Sequence, residues 1–209
     1  MSMISILMIL ISYLFGSVPW SLVIGLVFFN KDIRKEGSGN LGGTNAGRVL
    51  GKPAGAAVTV LDALKSFLSM LLCSVFAPEA VIFAGLACCV GHCFPVFAGF
   101  RGGKAVATSF GFFLGICVLL THQYFWQFFF IIICFFVILF FCRMVSLSSI
   151  LSLLTAVIVS AVLKNDLSIT LSIALLWIFV TYRHHANIKR ILNGTESRIK
   201  WMGKAPWEK

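Results

Sequence analysis

A chain of 209 residues with a 59% hydrophobic share, an 11% charged share and 21 phenylalanines cannot hide its apolar surface in its own interior. The bilayer must act as its solvent, which excludes a soluble protein of one or two domains. The formal net charge of +10 would suit nucleic acid, yet no aromatic-basic interleaving or known module accompanies it, so nucleic acid is not an expected partner.

The first apolar run, about Ile4 to Phe29, would measure about 39 Å if fully helical, enough to cross with tilt. It has no cationic leader and no small-residue cleavage site, so it reads as a retained helix. Directly after it comes Gly37-Ser-Gly-Asn-Leu-Gly-Gly-Thr-Asn-Ala-Gly-Arg48. Glycines let the backbone approach a bound group and point N–H groups at it. Ser38, Asn40, Thr44 and Asn45 offer side-chain hydrogen bonds, and Arg48 adds a permanent forked charge. That combination suits a phosphate. Gly37, Gly39 and Gly42 also match the dinucleotide pattern G-x-G-x-x-G, but no strand precedes them and no βαβ unit fits. The competing reading is a flexible hairpin, which has little need of Asn, Thr, Asn and Arg together.

A second span is expected from about Ala54 to just before Pro78. Asp62 and Lys65 lie halfway along it and would cost about 5–7 kcal/mol together if unpaired. They are expected to pair with each other or with other buried polar groups, supporting the site rather than reacting. The third span runs from about Glu79 to Phe97, with an interruption expected at Gly91, His92 and Pro95; His92 reads as a hydrogen-bonded packing histidine. Arg101-Gly-Gly-Lys104 then forms a second anion-competent turn at the start of the next helix, where the dipole is positive. The competing reading of Arg101 and Lys104 is charge that only sets topology.

Further spans cover about Ala105 to Leu120, Tyr124 to Cys142, Val145 to Leu163 and Leu167 to Tyr182. Arg143 and Ser146 open the sixth, where Ser146 could reach a phosphate. The last span leads into His184-His-Ala-Asn-Ile-Lys-Arg190 and Gly194-Thr-Glu196. His184 and Asn187, three apart on a helix, share a face. Glu196 reads as a structural group that pairs with a loop arginine and holds the tail.

The expected fold is an all-α polytopic membrane bundle of about seven helices, with five or six as the other count, N-terminus outside and C-terminus cytoplasmic. Of the 17 Lys and Arg residues, only Lys164 falls in an opposite-side loop and only Lys65 within a span, the positive-inside pattern. No internal repeat occurs, so residues 1–209 read as one membrane-embedded domain with a basic cytoplasmic tail over about 183–209. Cys73, Cys88, Cys89, Cys93, Cys117, Cys134 and Cys142 lie in apolar stretches without zinc or disulfide spacing. They read as reduced residues of the core or the lipid face. No side-chain cluster suits a metal, and no cofactor is expected.

Taken together, G-S-G-N-x-G-x-T-N-x-x-R, G-H-x-x-P with F-R-G-G-K, H-x-x-N-I-x-R and G-T-E resemble the bacterial acyl-phosphate-dependent glycerol-3-phosphate acyltransferases, the PlsY family. The resemblance covers nearly the whole chain in matching order and spacing. It implies a multi-pass enzyme of the bacterial cytoplasmic (inner) membrane, with its active site on the cytoplasmic side. Such an enzyme moves a fatty acyl group from acyl phosphate to the 1-hydroxyl of glycerol 3-phosphate, giving lysophosphatidic acid and phosphate for phospholipid synthesis. A soluble enzyme supplying acyl phosphate is an implied partner, beside the bilayer itself. By similarity the catalytic residues are Ser38, Arg48, Lys104, His184 and Asn187. Gly37, Gly39, Asn40, Thr44, Asn45, Gly102, Gly103 and Ser146 would bind substrate, and Glu196, Asp62 and Lys65 would support the site. The sequence departs mildly from the pattern: Gly43 stands where alanine is common, Arg101 where lysine is common, and Ala105 where another glycine is usual.

The chemistry fits the residues without the name. An acyl phosphate is already activated, so an enzyme needs mainly to hold two anions together and neutralise their repulsion. Arg48 and Lys104 suit that task. His184 is the side chain best placed to accept a proton, although a substrate phosphate can take it while His184 orients the acceptor. No His-x-x-x-x-Asp pair occurs at any of the four histidines, which disfavours the acyltransferases that use such a dyad with thioester donors. No cysteine stands in a nucleophilic arrangement. The acyl tail is expected between helices near Gly111, Phe112 and Gly115. A transporter of a phosphorylated metabolite is the rival class, disfavoured because there is no duplication and the polar groups collect on one face. A structural subunit would leave the anion-suited groups unexplained.

Overall fold

A computed structural model of the chain describes residues 1–199, 202, 203 and 206. Of the basic tail, Lys200, Lys204 and Lys209 lie outside the described residues. Among the described residues the regular structure is all helical, and contacts divide the chain into residues 1–120 and 121–209.

In the first unit, α1 (Met3–Gly16) and α2 (Trp20–Phe29) occupy the first apolar run. The single helix expected there is broken at Ser17–Pro19, because Pro19 has no N–H to donate and disfavours helical backbone at Val18. A short 3-10 turn, Ile33–Lys35, leads to α3 (Gly43–Val49) and then to the long α4 (Lys52–Phe76), which starts with Pro53 in its first turn. α5 (Val81–Cys93) and α6 (Val106–Ile116) complete the unit, with α6 continuing in wider π-type turns over Cys117–Thr121. α4 is the hub, packing on α1, α2, α3, α5 and α6.

Small residues make these approaches possible, since lipid gives apolar helices little reason to associate. A Cβ on Gly16 would fall on the Cys88 backbone, and one on Gly91 on the Tyr13 carbonyl. Gly91 therefore does not interrupt α5; it lets α1 cross it, and the helix continues through His92 to Cys93 before Pro95. Gly111 lies against the Ala63 backbone and Gly115 against Met70, while Phe112 is fully buried. The space expected there for an acyl chain is thus filled by α4. Gly43 has a similar reason: a Cβ would collide with Thr59 Oγ1 and the Gly55 carbonyl. The end of the unit that carries the first glycine-rich loop rests on a small apolar cluster of Leu22, Ile33, Leu41, Ala46, Leu50, Ala54, Val58 and Ala98.

In the second unit, π-type turns at Phe125–Phe129 lead into α7 (Phe130–Cys142), followed by α8 (Val145–Val162), α9 (Leu167–Arg183) and α10 (His185–Leu192). Arg143 and Lys164, both with left-handed backbone, turn the chain between α7, α8 and α9. α8 packs on α7 and α9. Trp177 Nε1 donates to the Ile150 carbonyl at 3.1 Å, and Ser160 shares a hydrogen bond with Thr170 at 2.9 Å.

Among the described residues five helical segments are long and apolar enough to cross a membrane, and six if the pair α9 and α10, bent by 62°, counts as one. The remaining segment of the expected seven, Val106–Thr121, is apolar and helical but shorter. Fewer than 18 residues of α-helix rise less than about 27 Å, against a hydrocarbon core of about 30 Å.

Candidate active site

The first glycine-rich loop is built around one buried amide. Asn45 Oδ1 accepts the Ser38 N–H at 2.9 Å, and its Nδ2 donates to the carbonyls of Glu36 at 3.1 Å and Ile33 at 3.4 Å. Asn45 therefore acts on the loop's own backbone. Gly37 (φ 59°) and Gly39 (φ 68°) flank Ser38 in left-handed conformations that only glycine adopts cheaply. A Cβ at Gly37 would strike Asn45 Oδ1. The effect is to hold Ser38 outward on a fixed turn: Ser38, Thr44 and Arg48 are exposed and Asn40 half-buried. Upstream, Asp32 caps the 3-10 turn and takes two bonds from the Arg34 guanidinium, at 2.9 and 2.8 Å. That hydrogen-bonded cation lowers the Asp32 carboxyl to about 2.

The second turn is anchored on the end of α5. Gly102 N–H donates to the Cys93 carbonyl at 3.2 Å, and Gly103 N–H to the His92 carbonyl at 3.1 Å. These carbonyls close a helix and would otherwise lack partners. Gly99, Phe100 and Ala105 all have φ near 60°, so the stretch around Lys104 holds two non-glycine residues in an unfavourable region. Ala105 is buried at the N-cap of α6 and its carbonyl accepts Ser109 N–H and Oγ–H. Lys104 is half-buried and Arg101 exposed.

Below this turn, Asp62 and Lys65 pair at 2.8 Å, both buried. Lys65 Nζ also reaches the Val18 carbonyl at 3.1 Å and His92 Nδ1 at 2.9 Å. Sequence reasoning missed His92 as the third member. The available signal was three ionisable groups in two adjoining apolar spans; 27 residues separate Lys65 from His92, too far for any helical spacing rule to join them.

In the second unit the organising group is Glu196. Its Oε1 accepts Ser146 Oγ–H at 2.7 Å and Asn187 Nδ2–H at 2.6 Å, and its Oε2 accepts Arg190 Nε–H at 2.7 Å. Burial alone would raise this carboxyl, but the bonds from Ser146, Asn187 and Arg190 outweigh it and hold it below the usual glutamate range. Gly194 at φ 69° reverses the chain so that Glu196 can return to α8 and α10. The Ile199 N–H continues this docking by donating to the Arg143 carbonyl at 2.8 Å. Arg190 was not among the sequence candidates, although it lies in the motif that carries Asn187.

His184 sits at the bend between α9 and α10 and is buried. Its Nδ1 lies 2.7 Å from the Val180 carbonyl, which can only accept. Nδ1 therefore carries the proton, and in the neutral ring Nε2 keeps its lone pair. Asn187, one turn on, is fixed by Glu196 with its amide nitrogen towards the carboxylate. The first unit thus holds Ser38 and Lys104 on two pinned turns with Arg48 on α3, and the second assembles His184, Asn187, Ser146 and Glu196 around one bend.

A profile of glycerol-3-phosphate acyltransferase matches residues 6–194. The glycerol-3-phosphate acyltransferase of Geobacillus kaustophilus is 46% identical over 199 residues, covering 95% of this chain and 98% of the relative. That of Listeria monocytogenes is 45% identical over 201 residues, covering 94% and 98%. Among solved structures, PlsY, an integral membrane glycerol 3-phosphate acyltransferase, superposes in its glycerol 3-phosphate form with a TM-score of 0.85 at 33% identity. Its lysophosphatidic acid form gives 0.81 at 32%. Each covers 93% of this chain and 95% of the other.

Proposed function

The chain belongs to the glycerol-3-phosphate acyltransferase family, and from that premise we propose that it acylates the 1-hydroxyl of glycerol 3-phosphate with acyl phosphate as donor. The observation that carries the donor assignment is the pair of separately pinned glycine-bearing turns in the first unit, the first followed by Arg48 on α3 and the second by Lys104. A reaction between two phosphorylated compounds needs their mutual repulsion neutralised more than it needs a nucleophile. The absence of a His-x-x-x-x-Asp dyad from the sequence supports the same choice.

In this scheme Lys104 and Arg48 neutralise the phosphates, while Ser38 and the backbone N–H groups of the Gly37–Gly39 and Gly102–Gly103 turns supply further donors. Asn40 and Thr44 line the first turn, and Asn45 holds it. Asn187 offers Oδ1 to a glycerol hydroxyl, and Ser146 with Glu196 keeps Asn187 in place. His184 Nε2 accepts a hydrogen bond from the neighbouring 2-hydroxyl and so orients the glycerol, leaving the proton of the attacking 1-hydroxyl for the phosphate. The hydroxyl oxygen bonds to the acyl carbon, the carbon–oxygen bond to phosphate breaks, and the hydroxyl proton leaves on the departing phosphate. The products are 1-acylglycerol 3-phosphate and inorganic phosphate. Residues 1–209 are read as one acyltransferase domain, in keeping with the family match over residues 6–194. The distribution of Lys and Arg supports placing the N-terminus outside and the reactive turns on the cytoplasmic face of the bacterial inner membrane.

Purified protein in detergent should release phosphate from acyl phosphate only when glycerol 3-phosphate is added, with 1-acylglycerol 3-phosphate as product. Turnover with acyl-CoA but not acyl phosphate would overturn the donor assignment. Vectorial flux of phosphate ester without turnover would overturn the enzyme reading. Full activity of Lys104→Ala would overturn the charge-neutralisation scheme.

A further inference from the structure

Buried charges in a membrane span are expensive, and a pair used only for packing can often be replaced by apolar groups without loss. Asp62 and Lys65 are connected to something else. The Lys65 ammonium hydrogen-bonds His92 Nδ1 at 2.9 Å and the Val18 carbonyl at 3.1 Å and forms an ion pair with Asp62 Oδ1 at 2.8 Å. An ammonium cannot accept, so His92 Nδ1 presents its lone pair and the neutral ring carries its proton on Nε2. The 3.3 Å approach of Nδ1 to Asp62 Oδ1 is then bridged by the ammonium they share. This fixes the ring of His92 in both rotamer and tautomer.

The opposite side of that ring is the floor of the Lys104 turn. A Cβ on Gly103 would land on His92 Nε2, and a Cβ on Gly102 would land on the His92 carbonyl. The same two glycines donate their N–H groups to the carbonyls of Cys93 and His92. The glycine pair is therefore moulded on His92, and Lys104 is the next residue along.

We propose that Asp62, Lys65 and His92 are positioning residues for Lys104: the buried ion pair locks the His92 ring, and the ring with its carbonyl sets the Gly102–Gly103 turn that aims the ammonium of Lys104. The catalytic consequence rests on the acyl-phosphate reading above, whereas the mechanical link does not. None of the three residues touches substrate in this scheme.

The test uses the whole protein in detergent and the double variant Asp62→Asn/Lys65→Met, which leaves no unpaired buried charge. The expected result is a melting temperature close to wild type, faster hydrogen exchange at the Gly102 and Gly103 amides, and kcat/KM for acyl phosphate lower by about 100-fold. KM for glycerol 3-phosphate should stay within about twofold, since uniform binding of the acceptor is untouched. Unchanged exchange at both amides, or full activity with the ion pair gone, overturns the proposal.

If the neutral pair does not fold, a cycle between His92→Ala and Gly103→Ala decides. Gly103→Ala alone should lower kcat/KM by about 100-fold, because its methyl meets the ring. In the His92→Ala background it should add less than about twofold; equal effects in both backgrounds overturn the link. If wild type gives no turnover with acyl phosphate, the proposed donor fails, yet the exchange comparison still decides whether the ion pair holds the turn.

Discussion

The two glycine-bearing turns of the first unit look alike in sequence and are held by different physics. The Ser38 turn is pinned by a neutral amide seven residues away, Asn45, whose bonds stay within residues 33–45. The Lys104 turn is pinned through His92 to an ion pair on another helix. A local neutral staple costs little to bury and forms as soon as its own segment folds. A buried ion pair has a large desolvation penalty, offset only when every partner is in place. The first turn should therefore tolerate distant change, and the second should register any disturbance of packing among α1, α4 and α5.

The strongest challenge to that contrast is Lys65→Ala. It leaves Asp62 charged and buried beside His92, and should destabilise the protein by about 3–5 kcal/mol in detergent unfolding. Adding Asp62→Asn should recover most of the loss. Asn45→Ala should cost less, about 1–3 kcal/mol, and should speed exchange at the Ser38 amide while leaving Gly102 and Gly103 unaffected. A loss matching that of Lys65→Ala would erase the distinction between the two anchors.

The Glu196 cluster extends the comparison to a charged anchor outside the spans. Glu196→Gln should cost about 1–2 kcal/mol near neutral pH, from weakened bonds to Ser146, Asn187 and Arg190. Its carboxyl is held below the ordinary value of 4.5. Its contribution is thus complete above that value and fades as pH falls through the lower folded one. Melting curves of wild type and Glu196→Gln should accordingly converge in acid; a gap that widens instead would contradict the assigned sign.

The smallest effect expected is that of Ala105→Gly. Relief of the left-handed backbone, about 1–2 kcal/mol, is offset by a lost buried methyl and a freer unfolded chain. Stability should stay within about 0.5 kcal/mol of wild type, whereas Ala→Gly inside a helix costs about 1 kcal/mol. A full loss of that size would show that position 105 carries no backbone strain.

The apolar segments and the polar motifs between them were legible in the sequence because hydropathy and turn chemistry are local properties. What escaped was set by neighbours in space. Nothing in Gly91, Gly111 or Gly115 says that a second helix crosses at each of them. The break at Ser17–Pro19 has a local proline signal, but inside an apolar run it was outweighed by continuous hydropathy. His92 reads correctly as a hydrogen-bonded packing histidine, but its partners lie on a different span and so could not be named. Asn45 looked like a ligand because an amide offered to a phosphate and an amide bonded to its own loop read identically in one dimension. The turn residues themselves, Gly37, Gly39 and the Gly102–Gly103 pair, were visible because each position excludes a side chain for a reason that recurs in many proteins.

The bond from Lys65 to the Val18 carbonyl bears on how the protein enters the membrane. The chain is synthesised from its N-terminus, so the kinked segment reaches the insertion machinery ahead of the helix that carries Lys65. Until then the carbonyl freed by the kink has no ammonium to satisfy it in hydrocarbon. The first two hydrophobic segments should therefore leave the insertion machinery together as a hairpin, and a nascent chain stalled before α4 has emerged from the ribosome should hold the kinked segment at the machinery's lateral exit.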